Sequence, residues 1–450
     1  MEGILSSMKV SEDARRLSAC VIGLEGRTGN LAHEAVSAME IHLLQRGWPV
    51  GQTLGVMPDL QKVLGLGRPA YREAITILEA RGLLNIRRGP GGGLFVAAPT
   101  ADDVVGSMLM YLALSGASQD CINEYRLVVW RMIVAAAIDR AIELKGLPDR
   151  TEGGGVVIRL ALAVGNPAMV LAARIAEGLV KISGGEAAPG ADAALEDAVR
   201  VRDLPAALSR LEVLAKPEDL AAPAFALEAI EQGRPWSGRK SAMAVAARLI
   251  RELSAGEGGI EAEWETAERI GCTDLVVRQA RRILQDFGII RCRQGRKGAM
   301  WGAPASPAGV IRLLAPCFAA HGVGPSDNAD ASYFLACSAA RLAAQCVSTR
   351  LDPPTASMAQ AGDFVDVIRL ENLVLELGGN PLLAITVRSL GLAHFLSDDA
   401  PLKLRHVDLT LLNQRILQAI ESGDADAAEG LSRAKAPLMR SSPEPHRRVA

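Results

Sequence analysis

Arg68 and Arg72 stand four residues apart, and Arg87 and Arg88 follow just before the run Gly89-Pro90-Gly91-Gly92-Gly93. Guanidinium groups at i and i+4 share one face of a helix. Arginine is also the side chain that pairs bidentately with guanine O6 and N7 in a major groove. A glycine-rich tip beside two arginines can bring backbone close to phosphate, because no Cβ stands in the way. The chemistry within reach of these residues is recognition of a duplex. Between Gly65 and Ala98 the five Arg (68, 72, 81, 87, 88) oppose Glu73 and Glu79, a local charge of 5 − 2 = +3 in a chain whose net charge is −2. Charge gathered in this way on one segment is the footprint of a phosphate-facing surface. Ala70 and Tyr71, between the two helix arginines, and Gly89 at the tip complete the first set of candidate contacts.

The pattern occurs twice. Gly65 matches Gly271, Tyr71-Arg72-Glu73-Ala74 matches Val277-Arg278-Gln279-Ala280, Leu78 matches Leu284, Gly82 matches Gly288 and Gly89 matches Gly295. The spacing is constant at 206, since 278 − 72 and 295 − 89 agree. A duplication of this period implies two related halves, each a folding unit. The second copy holds six Arg and Lys297 against Asp274 and Asp286, a local charge of 7 − 2 = +5. Its candidate contacts are Arg278, Arg281 and the basic wing Arg293, Arg296 and Lys297. Asp274 stands where the first copy has Arg68; it cannot donate to guanine, and either accepts from cytosine or caps its helix. A weaker second half-site is expected.

The elements that must position these residues are mainly helical. Residues 1–28 read as a loose arm. Apolar positions from Leu31 predict a helix ending at Gly47, Asp59–Leu64 a second and Arg68–Arg81 a third, with Gly82 as its stop. Leu84–Arg87 and Leu94–Val96 predict a hairpin, so residues 29–100 read as a winged helix-turn-helix domain. Residues 101–234 carry helical patterns broken by Gly153–Gly155, Gly165-Asn166-Pro167 and Gly184–Gly190, and read as a helical bundle. Residues 235–304 repeat the winged head in degenerate form, with helices at 242–253, 264–270 and 274–287. Residues 305–440 repeat the bundle, marked by Gly379-Asn380-Pro381, and 441–450 read as a disordered tail. The predicted class is mainly α: two winged heads, each followed by an all-α bundle.

With 450 residues, 49% hydrophobic and 4% aromatic, the chain can bury several cores. Its seven cysteines (20, 121, 272, 292, 317, 337, 346) show no Cys-x-x-Cys spacing, which points away from a disulfide framework or zinc site and towards a reducing compartment. A basic-then-apolar leader and an uncharged apolar span are both missing from the pattern, so a cytoplasmic protein is expected. The Gly89–Gly93 run lacks the Gly-Lys-Ser/Thr ending of a phosphate loop.

The order helix, turn, helix, then Gly-x-x-Arg-x-x-x-Arg-Glu-Ala-x-x-x-Leu-x-x-x-Gly-Leu and Arg-x-Gly-x-Gly-Gly-x-Phe-Val, closely resembles the GntR family of bacterial transcription regulators. The bundles resemble the FadR-like (FCD) effector domain, and the likeness extends over nearly all of residues 31–440. It implies a regulator that binds a double-stranded DNA operator, with Arg68 and Arg72 as readers and Gly89 as a wing contact. Members normally carry one head and one bundle and act as homodimers; this chain resembles two such protomers in tandem, a monomeric pseudo-dimer or a homodimer of one. It departs from the pattern where Pro58 and Trp264 replace an arginine early in the second helix.

The resemblance also implies an organic-acid or acyl effector in the bundles, with Arg126 as a candidate carboxylate partner; its repeat counterpart is Ser332. Many members hold a metal with an Asp, a His four residues on and two later His. Those positions fall at Gly153 and Val157 in the first bundle, and at Val367, Glu371 and near Asn413 and Lys435 in the second, with Asp366 one residue out of register. No metal or other cofactor is expected. Some members instead join the head to an aminotransferase-like domain, which needs an α/β sheet and a Schiff-base lysine. The region after residue 100 reads as helices and a second head, so no enzyme activity is expected. The alternative is an interaction protein whose first head alone binds DNA while the second mediates dimerisation.

Overall fold

The structure, a computed structural model, describes residues 10–24, 31–55, 61, 63–87, 89, 92–142, 155–186, 189–215, 220, 227–228, 230–231, 240–254, 261–286, 288, 290–292, 300–302, 305–347, 364–397 and 406–435. Helices dominate them, and the strands are few and short. No described helix is long and apolar enough to cross a membrane.

The first arginine-bearing segment contains α2 (Leu31–Leu44), β1 (Thr53–Gly55), α3 (Arg68–Ala80), β2 (Leu84–Arg87) and β3 (Gly93–Val96). Tyr71, Ala74, Ile75 and Leu78 recur at i, i+3, i+4 and i+7 and form the buried stripe of α3. The predicted hairpin pairs Leu84 with Val96 and Arg87 with Gly93. A third strand, β1, lies along β3 in the order β1-β3-β2, Thr53 opposite Phe95; three residues are too few to show a period of two in sequence. Of the second helix expected at 59–64, residues 61, 63 and 64 are described and are helical, and the others lie outside the described residues. The second segment contains α10 (Lys240–Ser254), α11 (Glu263–Ile270), α12 (Asp274–Asp286) and the antiparallel pair β4 (Ile290–Cys292) and β5 (Met300–Gly302).

Between and after them lie two units, in each of which six helices have ranges among the described residues. The first is α4 (Ala101–Ser115), α5 (Asp120–Asp139), α6 (Val156–Val164), α7 (Pro167–Ile182), α8 (Ala193–Arg200) and α9 (Leu204–Leu214). The second is α13 (Ala308–Ala320), α14 (Pro325–Val347), α15 (Phe364–Leu377), α16 (Pro381–Ser397), α17 (His406–Glu421) and α18 (Ala425–Arg433). Neighbours recur in the same order: α4 with α7, α5 with α6, α7, α8 and α9 in the first unit; α13 with α16, α14 with α15, α16, α17 and α18 in the second.

Asn166 and Asn380 join the units. Each caps its own helix: Asn166 Oδ1 accepts from the backbone N–H of Ala168 (2.9 Å) and Met169 (3.2 Å), Asn380 Oδ1 from Leu382 and Leu383 (both 3.1 Å). Each then donates across. Asn166 Nδ2 reaches the carbonyl of Asp327 at 3.0 Å, and Asn380 Nδ2 that of Cys121 at 2.9 Å. Cys121 and Asp327 are repeat equivalents at the 206 spacing (327 − 121), so the contact is reciprocal, as across an isologous two-fold interface. The helices α4 and α13 pack together along the same boundary, as do α5 and α14.

The heads are crossed over the bundles. Helix α2 packs on α13 and α16 of the second unit, whereas α10 packs on α4 of the first, and α3 meets α12. The α2 junction holds a buried triad, in which the Glu40 carboxylate takes Arg81 on one oxygen and Arg312 Nε on the other at 2.8 Å. The counterparts at the 206 spacing in sequence, Ala246, Phe287 and Gly106, carry no charge and cannot form such a triad.

The loose arm expected over residues 1–28 is corrected by α1 (Glu12–Ile22), capped by Ser11 at one end and by left-handed Gly23 (φ 78°) at the other. Ala14, Ser18, Val21 and Ile22 lie on one side at helical spacing and are buried against the second bundle, on α15 and α16. Asn372 Nδ2 donates to the carbonyl of Cys20 at 3.0 Å and Arg388 Nε to that of Val21 at 2.6 Å. Small or polar residues over the first two turns, with Val21 and Ile22 only in the last, carry little hydrophobic period in sequence.

Two outcomes are expected in denaturant titrations. Asn166→Ala or Asn380→Ala loses a helix cap, at about 1 kcal/mol, and a cross-unit hydrogen bond besides, whereas Asn380→Ser keeps the cap and loses less. Burial raises the Glu124 carboxyl above its usual range, partly offset by the hydrogen bond from Asn380 Nδ2 at 2.7 Å. A carboxyl whose folded pKa is raised favours folding while protonated, and that contribution is lost as pH climbs through the raised value. Glu124→Gln, which keeps the acceptor without the charge, is therefore more stable than the parent above the glutamate range and equal to it below.

Candidate nucleic-acid interface

The first turn of α3 is laid out for an anion. Its N-cap, Gly67, is extended and offers no side-chain cap, leaving backbone N–H groups open. Arg68 and Arg72 are exposed there, and neither guanidinium has a hydrogen bond or ion pair among the described residues. Cations at a helix N-terminus oppose the macrodipole by roughly 0.3–1 kcal/mol each. Two unpaired arginines at that end are therefore not there for stability. Ala70 is half-buried between them.

Tyr71 is a correction. It is buried in the stripe with Ala74, Ile75 and Leu78, its hydroxyl reaches no surface, and burial pushes its pKa up to about 12. Its repeat counterpart is the fully buried Val277, so the position belongs to the core.

In the wing, Gly89 takes φ 99° and accepts the N–H of Gly92 at 2.8 Å. A Cβ on Gly92 would sit 2.5 Å from the Arg87 carbonyl oxygen, so that turn admits glycine alone. The exposed Arg87 lies over the Phe95 ring at 4.3 Å, which stiffens it beside the tip. Arg88 lies outside the described residues.

Two arginines of the second head are engaged within the protein. Arg278, the counterpart of Arg72, pairs with Glu263 at 3.0 Å. Arg281 is a second correction: it is buried, and its guanidinium donates to Thr266 Oγ1 at 3.0 Å and to the Glu261 carbonyl, tying α12 to α11. It lies in the stripe of Val277, Ala280 and Leu284, on a face the arginine count could not distinguish from the exposed one. Asp274 is the first residue of α12, one place inside the cap expected for it. Arg269 is held by Glu252 (2.7 Å) and Glu261 (2.9 Å), and Arg251 by Glu231 (2.8 Å). Arg293, Arg296 and Lys297 lie outside the described residues.

The bundles differ as well. Arg126 is buried in the first, donating from Nη1 to the Glu186 carbonyl at 3.1 Å and lying against Trp130, whose Nε1 donates to Glu177 Oε1 at 3.0 Å. It is a packing arginine and a corrected candidate for effector contact. In the second bundle Glu371, Asn413 and Lys435 converge. Lys435 Nζ donates to Glu371 Oε1 at 2.8 Å and Asn413 Oδ1 at 2.9 Å, and Asn413 Nδ2 donates to Glu371 at 3.2 Å. An ammonium in the midst of these groups does not fit a metal centre. In the first bundle Val157 is buried and apolar and Gly153 lies outside the described residues.

No family model, no curated protein and no solved structure matches the chain.

Proposed function

We propose that the protein is a bacterial, cytoplasmic DNA-binding regulator of the GntR type, a single-chain pseudo-dimer with two unequal winged helix-turn-helix heads over two effector bundles. The observation that carries this reading is the pair of exposed, unpartnered arginines, Arg68 and Arg72, at the open N-terminus of α3. The adjacent hairpin turn, in which Gly92 has no room for a Cβ and Gly89 is exposed, supports it by allowing close approach to phosphate. The duplex operator is the partner; the bundles bind a small organic acid or acyl effector, and no catalytic step is assigned.

A second reading has its own support. Arg278 is neutralised by Glu263, Arg281 is buried, and α12 lies against α3. In that reading the second head holds the first in place and contributes little to DNA recognition.

Selection of bound duplexes from a random library, followed by titration at fixed salt, tests both. Arg72→Ala is expected to cost about 1–3 kcal/mol in specific binding, and Arg278→Ala much less. Glu263→Gln, which frees Arg278, is expected to strengthen binding. Equal losses from Arg72→Ala and Arg278→Ala would overturn the inequality of the heads. No enriched sequence at all would overturn DNA recognition.

A further inference from the structure

The second bundle encloses a cavity of about 90 Å³, walled by apolar side chains such as Ile368, Leu375 and Phe395, with Lys435, Glu371 and Arg388 among its polar lining. On the measure by which one water needs about 10–15 Å³, that is room for roughly six to nine waters, hence for a ligand of a comparable number of heavy atoms. Lys435 and Arg388 are basic residues of its lining. Lys435 donates two of its three ammonium protons, to Glu371 and Asn413, and the third has no partner among the described residues. Arg388, its side chain 6% exposed, spends Nε on the Val21 carbonyl, and its nearest carboxylate is that of the exposed Glu376 at 3.9 Å. Burial depresses its pKa, as for a guanidinium short of counter-charge. With Glu371 cancelling Lys435, the lining is one positive charge in excess.

The first bundle has lost this space. Counted from the paired residues Cys121 and Asp327, Asn166 and Asn380, and the helix caps Asp203 and Asp424, the lining residues Ser332, Ala336, Gly391 and Ser432 correspond to Arg126, Trp130, Glu177 and Leu211. All four replacements are larger and all are buried. The ion pair of Glu371 and Lys435 corresponds to Val157 and Leu214.

We propose that the second bundle alone is a binding site for a small organic carboxylate, and that Lys435, held by Glu371 and Asn413, supplies the cationic anchor so that no metal takes part. This rests on the effector reading above but not on DNA binding. The carboxylate accepts the remaining Lys435 proton, and its apolar part lies along the Phe395 wall.

Calorimetric titration of the chelator-treated full chain, without DNA, tests it. Benzoate and hexanoate are the probes, matched against benzamide and hexanamide. The expected result is one site per chain for the carboxylates, with the amides at least about tenfold weaker and no change on adding zinc or manganese. Lys435→Gln lowers carboxylate affinity, and Ala336→Trp, which installs the first bundle's residue, abolishes it; thermal melting checks that both variants fold. Two sites per chain, equal affinity for amides, a metal requirement, unchanged binding by folded Ala336→Trp, or no carboxylate binding at millimolar concentration would each overturn the proposal. Loss of DNA binding with carboxylate binding intact would overturn only the regulator.

Discussion

Asn166 and Asn380 each serve two helices at once, accepting the open N–H groups of their own helix and donating to a carbonyl of the opposite unit. Both are buried, so an amide deprived of its partner would be stranded without water, at about 1–3 kcal/mol. The bond is made only when Cys121 faces Asn380 and Asp327 faces Asn166, and that pair of requirements defines a two-fold relation between the units. From it follow the packing of α4 on α13 and the crossing of the heads, since each head must then rest on the bundle of the other half.

Three departures from the two-fold concern residues with chemical roles. The exposed Arg72 faces a neutralised equivalent in Arg278; the Glu40 triad faces Ala246 and Gly106; an open cavity faces one filled by Arg126 and Trp130. Crossing turns these into one assembly. The head with unpartnered arginines is the one that sits on the bundle with the open cavity, joined to it by Arg312 and by α1, whose Val21 lines the cavity and whose helix packs on α2.

The legible parts of the sequence were those with long periods. The stripe of α3, the hairpin and the head helices of the second copy follow from spacing alone, because an amphipathic face of ten or more residues leaves a clear pattern. The N-terminal helix is short and its large apolar residues, Val21 and Ile22, fall only in the last turn, the rest of its buried face being Ala14, Ser18 and Cys20, so it leaves little periodic signal. Residue type marked Arg68, Arg72, Arg278 and Arg281 alike as basic. Only burial and partners separate them, and those depend on Glu263 and Thr266, each fifteen residues from the arginine it meets. The Gly-Asn-Pro marker was visible as a repeat, but its donation across the interface lies on the side-chain nitrogen, which spacing cannot reveal. Lys435 and Glu371 lie 64 residues apart and meet only when α15 and the segment after α18 are brought together.

Joining two protomers in one chain changes what substitution can do. In a homodimer every substitution occurs twice, so a Trp at position 130 would fill both cavities and a Glu at position 263 would neutralise both reading arginines. In a fused pair each half can change alone while the reciprocal asparagines hold the interface. Tethering also fixes the effective concentration of one half near the other at order mM. In the second head Arg278 and Arg281 are held by Glu263 and Thr266, and in the first bundle Arg126 and Trp130 fill positions that line the cavity of the second. Among the described residues, Arg68 and Arg72 at one end and the Lys435 cavity at the other keep the exposed, unpartnered positive charge and the open space that their counterparts do not.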